Sequence, residues 1–141
     1  MKNLLLYLWQ LPQNLLALIL LLFYKEEKSL MYKGVKFHIV GKKFPGGVSL
    51  GCHALVKYYP HNKHTWDTIK HEWGHTRQST KWGWLYLIII GLPSIVCCWY
   101  SKHYHTKERG WTQEASDKWY YNLPWEKKAE ENGGVKRCEG E

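Results

Sequence analysis

Two stretches of this chain lack any charged side chain, and their lengths limit what it can fold into. Asn3 to Tyr24 reads NLLLYLWQLPQNLLALILLLFY, 22 residues, and Trp82 to Tyr100 reads WGWLYLIIIGLPSIVCCWY, another 19. A helix needs about 20 apolar residues to cross the hydrocarbon of a bilayer, so both stretches have the length of a span. The mean hydropathy of the whole chain, −0.48, hides them because the remaining segments are strongly polar. The first stretch is longer than the apolar region of a signal peptide and runs into YKEEKSL without a small-x-small cleavage site. It predicts an uncleaved membrane anchor over 1–28, followed by one small domain over 29–141 that includes 82–100. The net charge of +8 suits nucleic acid or an anionic membrane surface. With apolar stretches edged by Trp82, Trp84 and Trp99, a lipid bilayer is the expected partner and nucleic acid is not. The four cysteines, Cys52, Cys97, Cys98 and Cys138, form no CxxC pair and no disulfide framework.

Between the apolar stretches the periodicity changes. Val35, Phe37 and Ile39 alternate with Lys36 and His38, as in a half-buried strand. Gly41 to Gly47 reads as a turn, and Val48, Leu50, Cys52, Ala54 and Val56 resume the alternation, which predicts a short antiparallel β-hairpin. Thr65 or Asp67 can cap a helix over about 66–79. Gly91 and Pro93 interrupt the second apolar stretch and predict a kink or reversal there. Two further helices follow, one in WTQEASDKWYY and one in PWEKKAEENGG, the latter with Pro124 near its start and Gly133-Gly134 past its end. The expected fold class is α+β, mostly helical.

The predicted 66–79 helix contains His71-Glu72-Trp73-Gly74-His75. Residues i and i+4 share a helix face, so His71 and His75 can direct two imidazoles at one ion. Zn²⁺ accepts neutral imidazole, and a catalytic zinc site takes three protein ligands plus a water. Glu72 lies near the same face and can take a proton from that water, so it is the candidate general base. Gly74 costs the helix roughly 1 kcal/mol relative to alanine, which points to close packing beside the ion. Eight histidines and ten glutamates also allow the motif by chance, so placement and a third ligand matter.

His53, His61, His64, His103, His105, Glu114, Asp117 and Glu126 are the candidates for that ligand. Gln78 stands where an H-x-x-G-x-x-H extension would have glycine, so a carboxylate on a later helix is the economical choice. Glu114 and Asp117 are spaced i, i+3. Glu126, Ala129 and Glu130 occupy i, i+3, i+4 on one face and supply a ligand, a small residue for close approach, and an acid able to hold a ligand histidine. Glu126 is therefore preferred.

KHEWGHTRQS followed by PWEKKAEENGGV resembles the gluzincin pattern, His-Glu-x-x-His with Glu-x-x-Ala-acid on a later helix. More specifically it is similar to small bacterial membrane-associated proteins with an HEYGH-type helix, over about Gly34 to Val135. The resemblance implies His71, His75 and Glu126 as zinc ligands, Glu72 as base and Glu130 as an orienting acid. Gluzincins commonly place aspartate where this chain has Glu130. It also implies a metallopeptidase acting on a peptide or protein substrate at a bacterial cytoplasmic membrane.

A plain helical crossing over 82–100 would put His71 and Glu126 on opposite sides of the bilayer. The expectation is therefore a turn-back at Gly91-Leu92-Pro93, giving a re-entrant or interfacial segment; the alternative is a soluble core helix. His103, Tyr104 and His105 read as an interfacial aromatic cluster before they read as oxyanion donors, and Arg77 as exposed helix face. Two other functions compete: a non-catalytic zinc-stabilised membrane protein, and a basic, aromatic membrane-binding module with a chance motif.

Overall fold

A computed structural model of the chain describes residues 2–44, 46–58 and 62–135. The chain is α+β and predominantly helical, as the patterning predicts. Helices α1 (Lys2–Trp9) and α2 (Leu11–Phe23) lead into four strands, β1 (Glu26–Tyr32), β2 (Val35–Val40), β3 (Gly47–Leu50) and β4 (His53–Lys57). Helix α3 (Asn62–Trp82) follows. A tight turn and a π-helical turn (Leu87–Gly91) then lead to α4 (Leu92–Tyr100), a second π-helical segment (Ser101–Glu108), α5 (Gln113–Tyr121) and α6 (Pro124–Gly133).

The sheet differs from the expected single hairpin. Its order is β1-β2-β4-β3, and it is mixed: β1–β2 and β3–β4 are antiparallel, but β2 and β4 run parallel. A turn at Gly51-Cys52 splits the expected second strand in two. At Gly51 φ is +72°, a conformation glycine adopts without steric cost. The turn also puts Gly51 against Asn14, whose side-chain oxygen accepts from the Cys52 amide at 2.8 Å. β1 was hidden because EEKSLMY is largely exposed and has no apolar alternation.

Both faces of the sheet are covered. Val35, Phe37, Ala54 and Val56 pack on Ile69 and Trp73 of α3. On the other face Val40, Leu50, Leu55 and Phe44 pack on Ala17, Leu20 and Leu21 of α2. The N-terminal apolar stretch is thus two helices broken at Gln10-Leu11, with Pro12 in the first turn of α2, where its missing N–H costs nothing. The buried side chains of Gln10, Gln13 and Asn14 tie α2 to the body. Ser79 donates to Gln10 at 2.5 Å, and Gln13 donates to the Gly83 carbonyl. The expected domain boundary at residue 28 falls inside β1. Among the described residues no single helix is long and apolar enough to cross a membrane.

The reversal after α3 also lies elsewhere than expected. The chain bends by 119° between Thr65–Leu85 and Leu87–Glu108. Gly83, at φ +54°, makes the turn, and a side chain there would strike the Trp9 indole. Pro93 sits harmlessly in the first turn of α4, and the helix passes through Gly91 without reversing. Helix α3 begins a turn earlier than expected, so Thr65 and Asp67 lie inside it rather than capping it. The bend brings α4, α5 and α6 back toward α3.

Candidate metal centre

Helices α3 and α6 meet at backbone distance, because glycine and alanine leave room. A methyl group added at Gly74 would lie 1.8 Å from the Ala129 carbonyl oxygen, and one at Gly133 would lie 2.0 Å from the Lys70 carbonyl oxygen. Gly74 thus has the close-packing role its cost to the helix predicts. Glu126, in the first turn of α6, is carried to the His71–His75 face.

Its Oε2 lies 2.9 Å from His71 Nε2 and 3.0 Å from His75 Nε2. The three ligand atoms all lie within 4.8 Å of one another, and all three residues are buried. Bonds of about 2.0–2.1 Å in a tetrahedral site set ligand atoms roughly 3.4 Å apart, so each of the two Glu126–histidine edges needs to open by only about half an ångström to hold zinc. The sequence-preferred trio comes together; the rival Glu114 is exposed on α5, and Asp117 accepts from Gln113 at 2.7 Å on that same helix.

The surroundings fix which imidazole nitrogens face the ion site. Gln78 donates its amide nitrogen to the Trp125 carbonyl at 2.8 Å, so its Oε1 faces His75 Nδ1 at 2.7 Å. An amide oxygen only accepts, so the Nδ1 proton of His75 is held there; the Nε2 that faces Glu126 in the metal-free chain is the nitrogen that would give up its proton to bind a metal. His71 Nδ1 faces Glu130 Oε1 at 3.5 Å, an ion-pair separation longer than a hydrogen bond. On the far side of Glu126, Oε1 accepts from Ser94 and from Tyr120, the latter at 2.9 Å. Ser94 on α4 and Tyr120 on α5 thereby hold the ligand carboxylate from behind.

Charge fits a cation as well. Burial opposes the ionised form of Glu126, but hydrogen bonds from His71 and His75 outweigh it and hold the carboxyl well below the usual range. Burial likewise pulls His71 down, while the hydrogen bond to Glu126, the Glu130 carboxylate and the charge of Glu72 raise it to about 9. Burial and the Glu126 charge push the Tyr120 hydroxyl far above its ordinary range, so it remains a donor. Three buried carboxylates, Glu72, Glu126 and Glu130, surround two histidines; a dication offsets that excess of negative charge. Glu72 itself lies against β3, where a methyl group at Gly47 would come within 2.5 Å of its Oε1.

The remaining sequence candidates lie elsewhere. His53 Nδ1 is 3.0 Å from His38 Nε2 on the sheet. His103 sits against Trp99, and His105 is buried in an aromatic cluster, stacked on Trp111 with centroids 4.0 Å apart. His61, and the side chain of His64, lie outside the described residues. Arg77 is exposed. Sequence reading missed Gln78, Ser94, Tyr120 and Gly47. Gln78 was within reach, being i+3 from His75 on one face. Ser94 is the one serine of an apolar stretch, a weaker signal, and nothing singles out Tyr120 among ten tyrosines.

No protein-family model matches the chain, nor does any curated protein or solved structure.

Proposed function

We propose that this protein is a zinc-dependent metallohydrolase of gluzincin type that cleaves peptide bonds. The observation that carries the reading is one buried carboxylate oxygen, Glu126 Oε2, within 3.0 Å of both histidines of the His-Glu-x-x-His helix. His71, His75 and Glu126 would hold the ion, with Gln78 and Glu130 orienting the imidazoles and Ser94 and Tyr120 the carboxylate. Zinc in such a site acidifies water and polarises a carbonyl group.

Glu72 is the base. It follows His71 directly, and its carboxylate packs against Gly47 of β3. It takes the proton of the attacking water and passes it to the departing amine. β3 lies at an edge of the sheet, with Gly47 beside Glu72. An extended peptide that adds to β3 by backbone hydrogen bonds runs past that carboxylate.

One observation favours a second reading, a structural zinc. The same centre ties α3, α4, α5 and α6 together through Ser94, Tyr120 and Glu126, so an ion there would stabilise the fold whether or not it turns over substrate. Glu72→Gln separates the two. Zinc-loaded wild type and variant are assayed on a fluorogenic peptide library, with zinc per chain measured in parallel. Cleavage by wild type, lost in Glu72→Gln at equal zinc content, supports the hydrolase. Equal and negligible turnover by both, each carrying one zinc, overturns it in favour of the structural role.

A further inference from the structure

The largest unassigned feature of the molecule is an outward apolar surface. α1 and α2 turn Leu4, Leu8, Leu15, Ile19, Leu22 and Phe23 to the outside while their amides point inward. Beyond the bend, Ile88, Ile89, Leu92, Ile95, Val96 and Trp99 form a single stripe at helical spacing, each at least 40% exposed. The two faces adjoin. The Trp84 indole donates to the Leu8 carbonyl and the Trp9 indole to the Thr80 carbonyl, both at 3.0 Å, and Leu87 packs on the cluster that holds Leu20 and Leu21. A contiguous apolar surface of this extent marks an interaction site.

We propose that this surface is inserted into one leaflet of an anionic bilayer, so that the protein is monotopic rather than anchored by a span. Length decides the depth. α2 has 13 residues, about 20 Å at 1.5 Å per residue, and the stripe from Ile88 to Trp99 is about 17 Å long. The hydrocarbon core is about 30 Å thick, so each apolar length matches a leaflet and falls short of a bilayer. A spanning α2 would have to abandon Ser79, Gly83 and Cys52, stripping Gln13 of its partners and leaving Gln10 and Asn14 only the Leu6 and Tyr7 carbonyls in lipid.

Charge decides the occupant. The inserted stretches contain no charge, and Lys25, Lys81 and Lys102 lie just beyond their ends in a chain of net charge +8. Indoles of Trp9, Trp82, Trp84 and Trp99 sit among the exposed residues, a side chain enriched at the headgroup level. Anionic headgroups complement that basic rim, whereas a second copy of the chain would bring lysines against lysines. The proposal does not rest on hydrolysis or on zinc. It does place the metal centre directly beneath the inserted helix, because Ser94 on α4 reaches Glu126.

The test uses the full chain with vesicles of phosphatidylcholine containing 30% phosphatidylglycerol. Wild type floats with the vesicles, and Ile88→Asp/Ile95→Asp loses at least tenfold of its partitioning. Those positions are solvent-facing, so an unchanged melting temperature shows that the variant is folded. Sidedness is read with a membrane-impermeant maleimide on Lys25→Cys, Lys81→Cys and Lys107→Cys in a background lacking the native cysteines. Labelling of all three from the outside of vesicles to which protein was added supports single-leaflet insertion. Protection of Lys107→Cys with labelling of Lys81→Cys means that the segment spans, and overturns the proposal. So does failure of wild type to float, with a dimer in light scattering that the double aspartate variant dissociates; the face then belongs to a second copy.

Discussion

Gly74→Ala tests whether the metal centre depends on the close approach of α3 and α6. The added methyl group would sit 1.8 Å from the Ala129 carbonyl oxygen, while an ordinary contact begins at 3.4 Å. The obstacle is backbone on a helix, so it cannot swing aside as a side chain would. The helices must separate by about 1.6 Å at that level, and Glu126 lies one turn before Ala129 on the displaced helix. Metal sites hold bond lengths to about 0.2 Å, so the carboxylate is carried well out of range. Alanine returns about 1 kcal/mol of helix propensity, against an overpacking cost of about 1–3 kcal/mol. The expected outcome is a small loss of stability, up to about 2 kcal/mol, with zinc affinity lower by at least ~100-fold. Chelator competition gives the affinity and a urea melt on the metal-free protein gives the stability. Gly74→Ala that binds zinc within threefold of wild type, while folded, would refute the reasoning.

Gln78→Ala removes the acceptor that holds the His75 Nδ1 proton and should weaken zinc binding roughly 10–100-fold; Gln78→Glu, which keeps an acceptor, should recover most of it in the same competition assay. Gly47→Ala should displace the Glu72 carboxylate, lowering peptide hydrolysis at least tenfold at unchanged zinc content by elemental analysis. For pH, the folded-state pKa of His71 in metal-free protein, about 9, lies above the ordinary 6.5, so its protonated form contributes its full stability below pH 6.5 and loses it as pH rises through 9. The melting temperature of metal-free wild type should therefore fall between pH 6.5 and 9.5, with a flatter profile in His71→Gln. Zinc uptake at pH 7 should release about one proton from that residue, read by calorimetry in buffers of different ionisation enthalpy.

The His71–His75–Glu126 cluster was legible in the sequence because its signals are local. His71, Glu72 and His75 are set by helical spacing, and Glu126, Ala129 and Glu130 repeat that logic on a second helix. Gly74 recorded the approach of the two helices as a cost to α3 that something else had to offset. Chain pairing across the sheet was not legible. VKFHIV alternates, but nothing local says whether its neighbour is the strand before it or the one after it. The parallel β2–β4 pair arises because the chain leaves β2, crosses to the edge strand β3 and turns back into β4. β1 itself is mostly exposed, so its apolar pattern is nearly absent.

In the N-terminal stretch a charge count passes over three polar amides. Gln10, Gln13 and Asn14 carry no charge, so NLLLYLWQLPQNLLALILLLFY passes a test based on Asp, Glu, Lys and Arg. All three are nonetheless buried against the body of the protein, where each amide left unpaired in hydrocarbon would cost several kcal/mol. Pro12 then places the helix break beside them. The same three residues orient α2, turning Leu15, Leu18 and Leu22 outward and its amides inward. Gly83 and Ser79, which those amides contact, lie at the end of the helix that carries His71 and His75. The apolar face and the helix that carries His71 and His75 are thus joined through polar contacts, and a lipid surface that took up the first would fix the position of the second.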